Sequence, residues 1–455
     1  MAKLKKIYEC KKCGHTQAVW AGQCPECKSW GSLVEKHVEE KKKNTKREII
    51  DNNKKAEALI DIKIDESQRI KSDYKEFDRA IGGGLIKDSV TILTARPGAG
   101  KSTLLLQLSK SYADRDFKVL YISGEESSSQ IKNRANRIMD KISENIWILS
   151  TNSMDNAIYE IKNIDPDIVI LDSIQTFSLR EFDNKQGSPV QTVECANKCV
   201  ELAKDYNRKR AFILIAHMTK SGDLAGIRTL EHLVDTVLYL EGKVDEDLRF
   251  LSSTKNRFGQ TGEIGLFSMQ EKGLIEIENP SEYFTTKRQD PIEGSALSVI
   301  KEGNRLLEAE VESLVSKSFL PYPQRIGDSL KKDELNTLIS ILEERAGINL
   351  FDKNVIIKTT GGLKLKEQSA NLCVMASIAS SFYKKPIDNS TVFIAEVGLT
   401  GELKKVPQIE KRIRELERLG YKKVYIAKNS TKEKFNSIDV IQLKNIREVF
   451  DKEFN

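Results

Sequence analysis

No stretch of this sequence approaches the roughly 18 consecutive apolar residues that a membrane-spanning helix needs, which excludes an integral helical membrane protein. Its first residues, Met1-Ala-Lys-Leu-Lys-Lys6, lack the apolar segment of a secretory leader. An excess of one charge is also missing: 73 basic residues face 67 acidic ones, a net +6. That near-balance excludes a polycationic nucleic-acid coat while permitting local basic surfaces. Aromatic residues are few, at 7%, so extended base-stacking platforms are not expected. Internal repeats and low-complexity tracts are absent. With 39% hydrophobic and 31% charged residues, the 455-residue chain is too apolar for a disordered polymer and long enough for about three domains. The expectation is a soluble, cytoplasmic protein.

Seven cysteines are present, and four of them fall within the first 27 positions: Cys10, Cys13, Cys24 and Cys27. A reducing cytosol disfavours disulfides, and the spacing C-x2-C-x10-C-x2-C supplies two thiolate knuckles, enough to close a tetrahedron around Zn2+. All four donors are sulfur, so the expected site is structural, with no open coordination position for catalysis. Gly14 follows Cys13 where a tight turn favours a residue tolerant of positive φ. Cys195 and Cys199, four apart on an expected helix, are read as core residues.

After a zinc finger at 1–35 comes a charged linker at 36–62, Glu/Lys-rich and almost without apolar content from about Glu35 to Asp51. The run Lys41-Lys-Lys-Asn-Thr-Lys-Arg47 could touch DNA, but Glu39, Glu40 and Glu48 dilute it. From about residue 63, apolar β-rich runs at 90–94, 118–122, 167–171 and 211–215 alternate with helical segments such as 102–114 and 193–207. This alternation predicts an α/β domain with a mostly parallel sheet. Runs at 236–240, 248–252 and 274–278 have hairpin-like spacing and extend the sheet at one edge. A polar stretch around 280–291 places the end of this domain near 285. Residues 286–455 then read as a second α/β domain, with strands at 354–359, 392–397 and 423–426 and helices at 367–383 and 408–419.

The segment Ala95-Arg96-Pro97-Gly98-Ala99-Gly100-Lys101-Ser102 follows a strand and opens a helix, the context of a phosphate-binding loop. Its backbone N–H groups and the helix N-terminus would cradle the phosphates of ATP. Lys101 would reach the β and γ phosphates, Ser102 would bind Mg2+, and Thr103 would lie near the α phosphate. Ala95 stands where the usual pattern has glycine, which is tolerable if its φ is negative. Asp172 ends an apolar run some 70 residues later, at the sheet edge where ligands bind, and would complete the Mg2+ shell. Glu125 and Glu126 end another strand at the same edge. Glu125 is the preferred base for activating water, with Glu126 the fallback and a helix N-terminal acid the plain alternative. His217 closes a further strand there, either as a sensor of the γ phosphate or as a histidine satisfying local backbone.

These elements, in this order, resemble the bacterial RadA (Sms) family of DNA-repair ATPases. The resemblance includes the four-cysteine finger, Ile81-Gly-Gly-Gly-Leu85, the phosphate loop, Gly124-Glu-Glu-Ser127, Asp172-Ser-Ile-Gln175 and Lys255-Asn-Arg-Phe-Gly259. It implies a RecA-like core acting in a hexameric homo-oligomeric ring on single-stranded and branched DNA. It also implies branch migration of strand-exchange products made by the RecA recombinase. Ala95-Arg96-Pro97 is similar to the form that ring helicases use. Lys255 and Arg257 fall in an expected loop after the strand at 248–252. There they would reach a neighbouring subunit's γ phosphate or, as a bland alternative, touch phosphate backbone. Loops 178–191 and 219–230, the latter with Lys220 and Arg228, are candidate DNA contacts of the sequence-independent kind.

From about residue 360 the chain resembles the proteolytic domain of Lon, whose chemistry needs a serine activated by a lysine amine. Ser369 aligns near the nucleophile, but the glycines that flank it in the protease are missing. Counting back from Gly420 places Glu410 at the lysine position, with Lys411 beside it. The domain is therefore expected to be non-proteolytic. Two rival readings remain beside the DNA motor: a RecA mediator using ATP as an assembly switch, and an ATP-dependent serine protease. Basic residues concentrate at the ends, since residues 1–35 carry net +3 and residues 401–455 net +5, which leaves −2 for the remainder.

Overall fold

The computed structural model describes residues 4–39, 58, 60, 69–217, 227–242, 246–319 and 322–454. Residues 1–65 and 66–455 form two separate units, and each is described by itself.

In the first unit, β1 (Leu4–Cys10) pairs antiparallel with both β2 (Thr16–Gln17) and β3 (Leu33–Glu39). The small apolar centre is Cys10, Cys24 and Leu33, with Tyr8 and Ala21 against it. So little buried surface cannot hold a fold of this size, which is why such modules rely on metal.

In the second unit, β4 (Arg69–Ile70) and β5 (Leu85–Ile86) pair antiparallel around α1 (Lys75–Ala80). The chain then alternates strand and helix: β6 (Val90–Ala95), α2 (Lys101–Ala113), β7 (Val119–Ser123), α3 (Ser128–Ile138), β8 (Ile146–Ser150), α4 (Met154–Ile164), β9 (Ile168–Asp172), α5 (Pro189–Ala203), β10 (Ala211–His217), α6 (Ile227–Leu233) and β11 (Thr236–Glu241). β12 (Leu248–Asn256), β13 (Ile264–Gln270) and β14 (Gly273–Glu276) follow. The nine strands lie in the order β14-β13-β12-β11-β6-β10-β9-β7-β8. Strands β11 to β8 in that row are parallel, and β12 to β14 add antiparallel at one edge. Every residue of β6, β7 and β9 is buried, as expected of strands covered by helices on both faces. The expected parallel sheet and its edge extension are both present. β8 and β13 were not anticipated. β8 is only partly buried, at the end of the row.

β12 runs four residues further than the apolar pattern indicated. Its pairing with β11 shifts register between Val237 and Leu238 and then continues to Thr236↔Asn256. A bulge breaks the period-2 alternation by which a strand is recognised in a sequence. Lys255 accordingly sits on the strand, not in the expected loop, and Arg257 directly follows it.

After the short α7 (Pro280–Phe284), a second sheet is built from β15 (Ser295–Glu302), β16 (Arg305–Lys317), β17 (Arg325–Gly327), β18 (Lys353–Thr359), β19 (Thr391–Ile394), β22 (Lys423–Ala427) and β23 (Asp439–Leu443), in the order β17-β18-β16-β15-β19-β22-β23. The pair β20 (Glu396–Val397) and β21 (Leu403–Lys404) stands apart. Helices α8 (Lys332–Ile341), α9 (Asn371–Tyr383), α10 (Ile409–Leu419) and α11 (Ile446–Phe454) pack on this sheet. The strongly apolar α9 is its central helix, buried from Leu372 to Ser381.

The two sheets share buried surface. Leu248, Ile264, Leu266 and Ile277 from the edge of the first pack in one apolar cluster with Ile300, Leu307, Leu338 and Phe284. Arg305 reaches Glu76 of α1 at 2.5 Å, and Glu76 also accepts the Leu266 N–H at 2.9 Å. Among the described residues no helix is long and apolar enough to cross a membrane.

Candidate active site and metal centre

In the metal module, the two knuckles share one backbone pattern. The Gly14 N–H donates to the Cys10 carbonyl, and the Lys28 N–H donates to the Cys24 carbonyl, both at 2.9 Å. Gly14 has φ +75° and Lys28 has φ +58°, so the second knuckle holds a lysine in the left-handed conformation that the first gives to glycine. The Cys10 and Cys27 sulfurs are 3.6 Å apart, as are those of Cys13 and Cys24, and all four lie within 4.8 Å of one another. Zinc–sulfur bonds of about 2.3 Å place tetrahedral sulfurs about 3.8 Å apart. The cysteine set therefore fits a closed zinc site. Cys195 and Cys199 are fully buried in α5 and belong to the core.

The candidate nucleotide-binding loop spans the turn from β6 to α2. Ala95 is the buried last residue of β6 and is not among the positive-φ positions, so its methyl group is accommodated. Arg96, Pro97 and Gly98 are exposed at the tip, and Ala99 is buried. Gly100, at the N-cap of α2, has φ +105°. A Cβ there would lie 2.4 Å from the Met269 methyl group, the movable end of a flexible side chain, so it is the left-handed conformation that calls for glycine. Lys101 is 7% exposed and donates to the Ala95 carbonyl at 3.2 Å, folding its ammonium back across the loop. Burial pushes that ammonium down, while Asp172 and Glu125 push it back up. Ser102 and Thr103 follow Lys101 in the first turn of α2, half-buried.

The C-terminal ends of β7, β9 and β10 bring the acidic groups to this loop. The Ser102 hydroxyl donates to Asp172 Oδ2 at 3.0 Å, and the Tyr121 hydroxyl donates to the same oxygen at 2.5 Å. Burial raises the Asp172 carboxyl, and the Tyr121 and Ser102 bonds oppose that rise. Glu125 accepts from the Ser173 hydroxyl at 2.5 Å and meets His217 Nε2 at 2.9 Å. Donor atoms of Glu125, Asp172 and His217 lie within 4.8 Å of one another. Ser102 and Asp172 offer the hard oxygen ligands that Mg2+ takes. Glu126 is held differently, since both of its oxygens receive Arg134, at 2.6 and 2.8 Å.

Three partners here were not anticipated: Tyr121, Ser173 and Gln175. The Gln175 amide exchanges two 3.3 Å bonds with the His217 backbone, tying the end of β10 to the turn after β9. No local pattern marks such pairs, because the partners lie 42 to 51 residues apart.

Lys255 and Arg257 lie away from this cluster and are engaged within their own chain. Lys255 Nζ donates to the Glu231 carbonyl. Arg257 pairs with Asp235 at 3.1 Å and reaches the His232 carbonyl at 3.5 Å. The next residues pack on the glycine turn: Asn256 donates to the Ile81 carbonyl at 3.1 Å, and Arg69 bridges the carbonyls of Gly82 and Phe258. Of the candidate DNA loops, residues 218–226, including Lys220, lie outside the described residues. The other loop is clamped by the buried Gln191 side chain, which bonds Leu179, Phe182 and Asn184.

At the far end of the chain, Ser369 is buried and its hydroxyl is met by Arg412 Nη1 at 3.3 Å. Neither Glu410 nor Lys411 makes that contact. Counting from Gly420 missed the residue by two positions because the facing side of α10 is set by packing. Arg412 is fully buried and paired with both Glu367 oxygens.

Comparisons with known proteins agree with this layout. A family model described as an AAA domain matches residues 60–223, and one described as a rubredoxin metal binding domain matches residues 8–35. The DNA repair protein RadA of Streptococcus pyogenes serotype M1 is 40% identical over 430 residues, 94% of each chain. That of Bacillus subtilis strain 168 is 37% identical over 455 residues, 98% of each chain. That of Listeria monocytogenes is 37% identical over 432 residues, 94% of each chain. A solved structure of a KaiC-like protein from Pyrococcus horikoshii aligns with 46% of this chain and 98% of its own. Its identity is 21% and its TM-score 0.37, too low to carry an argument.

Proposed function

The chain belongs to the RadA family of DNA repair proteins, and from that premise we propose that its ATP hydrolysis drives branch migration of strand-exchange products. It is a DNA repair ATPase with ATP, Mg2+ and Zn2+ as cofactors. The observation that carries the proposal is the convergence of Lys101, Ser102, Asp172, Glu125 and His217 at one sheet edge. A charge-clamping lysine, a metal-binding pair and a carboxylate able to face water are the parts that turnover needs, beyond what an assembly switch requires.

In this reading the loop N–H groups and Lys101 hold the phosphates, while Ser102 and Asp172 hold Mg2+, which spreads charge from the phosphate oxygens. Glu125 takes a proton from the attacking water. Its neighbour Glu126 is committed to Arg134, which favours Glu125 for the role. His217, bonded to Glu125, passes the state of the site to the segment that follows β10. Lys255 and Arg257 would exchange their carbonyl and Asp235 partners for a neighbouring subunit's γ phosphate within a hexameric ring on single-stranded or branched DNA. The RecA recombinase would supply the joint molecules. The domain at 286–455 would act as a non-proteolytic scaffold. Arg412 stands at Ser369 where a neutral amine would be needed, and a guanidinium cannot accept the serine proton.

The test measures ATP turnover with and without single-stranded DNA, together with branch migration of RecA-made joint molecules. DNA-stimulated turnover coupled to migration is expected, and Glu125→Gln should retain ATP binding while losing both. If Glu125→Gln still supports strand exchange at full rate, ATP acts as an assembly switch and the motor reading fails.

A further inference from the structure

We propose that Arg249 is a positioning residue for the nucleotide-binding loop, holding the Ala99–Gly100 peptide so that the Gly100 N–H faces the phosphates. Arg249 is the second residue of β12 and is 2% exposed, among the largest fully buried side chains of the described residues. Its Nε donates to the Ala99 carbonyl at 3.0 Å, across 150 residues of sequence. Its Nη1 donates to the carbonyls of Leu248, at 3.0 Å, and Glu246. The guanidinium is thus tied to the strand backbone on one side and to the loop on the other.

The geometry of the amide makes this contact directional. A trans peptide carries its N–H opposite its C=O. Drawing the Ala99 carbonyl outward to Arg249 therefore turns the Gly100 N–H inward, to the side where a phosphate-binding loop presents its donors. Gly100 sits at φ +105°, one of many conformations open to glycine, and a fixed partner on the Ala99 carbonyl narrows that choice. Ala99 itself is 1% exposed, so water is a poor substitute for the lost donor.

The surroundings are shaped for this side chain. A Cβ on Gly242 would fall 2.2 Å from Arg249 Cδ and 2.7 Å from Nε. Glycine at 242 therefore leaves the channel through which the arginine reaches the loop. The inference rests on the loop being the ATP site, and Lys101→Ala serves as the control for that premise.

The experiment uses the full-length, zinc-loaded chain with Arg249→Met and Arg249→Lys, and measures Kd for MgADP, KM and kcat for ATP, and nucleotide-free melting. In Arg249→Met, MgADP affinity should weaken about tenfold or more, in line with loss of a buried charge-assisted hydrogen bond. KM for ATP should rise in step while kcat changes less than about threefold. Arg249→Lys, keeping the charge and one donor group, should recover part of the affinity, and it decides the matter alone if the methionine variant does not fold. Gly242→Ala, which displaces the arginine without altering it, should weaken MgADP in the same direction. If nucleotide-free melting falls while MgADP affinity stays within about twofold in the folded variants, Arg249 is a packing residue and the proposal fails. Loss of binding in Lys101→Ala alongside unchanged binding in Arg249→Met would overturn it equally, with the ATP site itself intact.

Discussion

Replacing Arg412 with methionine keeps much of the side-chain volume and removes the charge. The guanidinium is fully buried, bonds both oxygens of Glu367, and also donates to the Val299 carbonyl and the Ser369 hydroxyl. Removing one partner of a buried ion pair costs about 3–5 kcal/mol, because the other charge is left without compensation. The Glu367 side chain is 26% exposed, so water relieves part of that penalty and the lower end, about 3 kcal/mol, applies. Spread over the unit 66–455, whose two sheets share one apolar cluster, that corresponds to a melting temperature lower by roughly 4 °C. The second variant, Glu367→Gln with Arg412→Met, neutralises the orphaned carboxylate and should regain about 1 kcal/mol or more over Arg412→Met alone. Burial pushes the Glu367 carboxyl up, but the bonds from Arg412 and from the Lys301 N–H hold it below its usual value. A depressed carboxyl contributes stability above its unfolded pKa and loses it as pH falls through the folded value. The gap between the unaltered chain and Arg412→Met should therefore be full near neutrality and narrow below pH ~4.3. Thermal unfolding followed by circular dichroism across that range checks both points. Melting of Arg412→Met within about 1 °C of the unaltered chain would refute the reasoning, since a loss of about 3 kcal/mol cannot hide in so small a shift.

Other outcomes follow from the same geometry. Glu126→Gln should keep most of the ATP turnover that Glu125→Gln abolishes, because Glu126 is engaged with Arg134; equal losses in single-turnover assays would reverse the assignment. Tyr121→Phe removes the 2.5 Å bond to Asp172 and should lower turnover about tenfold, the scale of a hydrogen bond to a charged group, with a raised Mg2+ requirement in a titration. Cys24→Ser should abolish stoichiometric zinc in a chelator-release assay, since Cys24 is a buried member of the four-sulfur cluster. Mixing Lys255→Ala with Glu125→Gln chains should restore some turnover if Lys255 acts on a neighbour's site; a strictly additive loss would place it in its own subunit.

Local chemistry made several features legible in the sequence. Four cysteines in two x2 pairs define a zinc site whatever surrounds them. The loop from Ala95 to Ser102 is readable because a strand, a glycine turn and a helix start are consecutive. The buried parallel strands show as continuous apolar runs, and α2 begins within one residue of its expected place. Packing decided what lies between these segments. The left-handed φ of Lys28 is imposed by the second knuckle, and lysine does not advertise it. The four extra residues of β12 follow a bulge opposite β11, so Lys255 is a strand residue despite its polar neighbourhood. Arg412 faces Ser369 because of how α10 lies on its sheet, a matter of helix rotation that counting from Gly420 misjudged by two residues. Tyr121 meeting Asp172, and Arg249 meeting Ala99, join residues 51 and 150 positions apart. A side chain's identity states what bonds it can make; only the assembled fold determines which partner stands within about 3 Å, because that distance depends on every element packed between them.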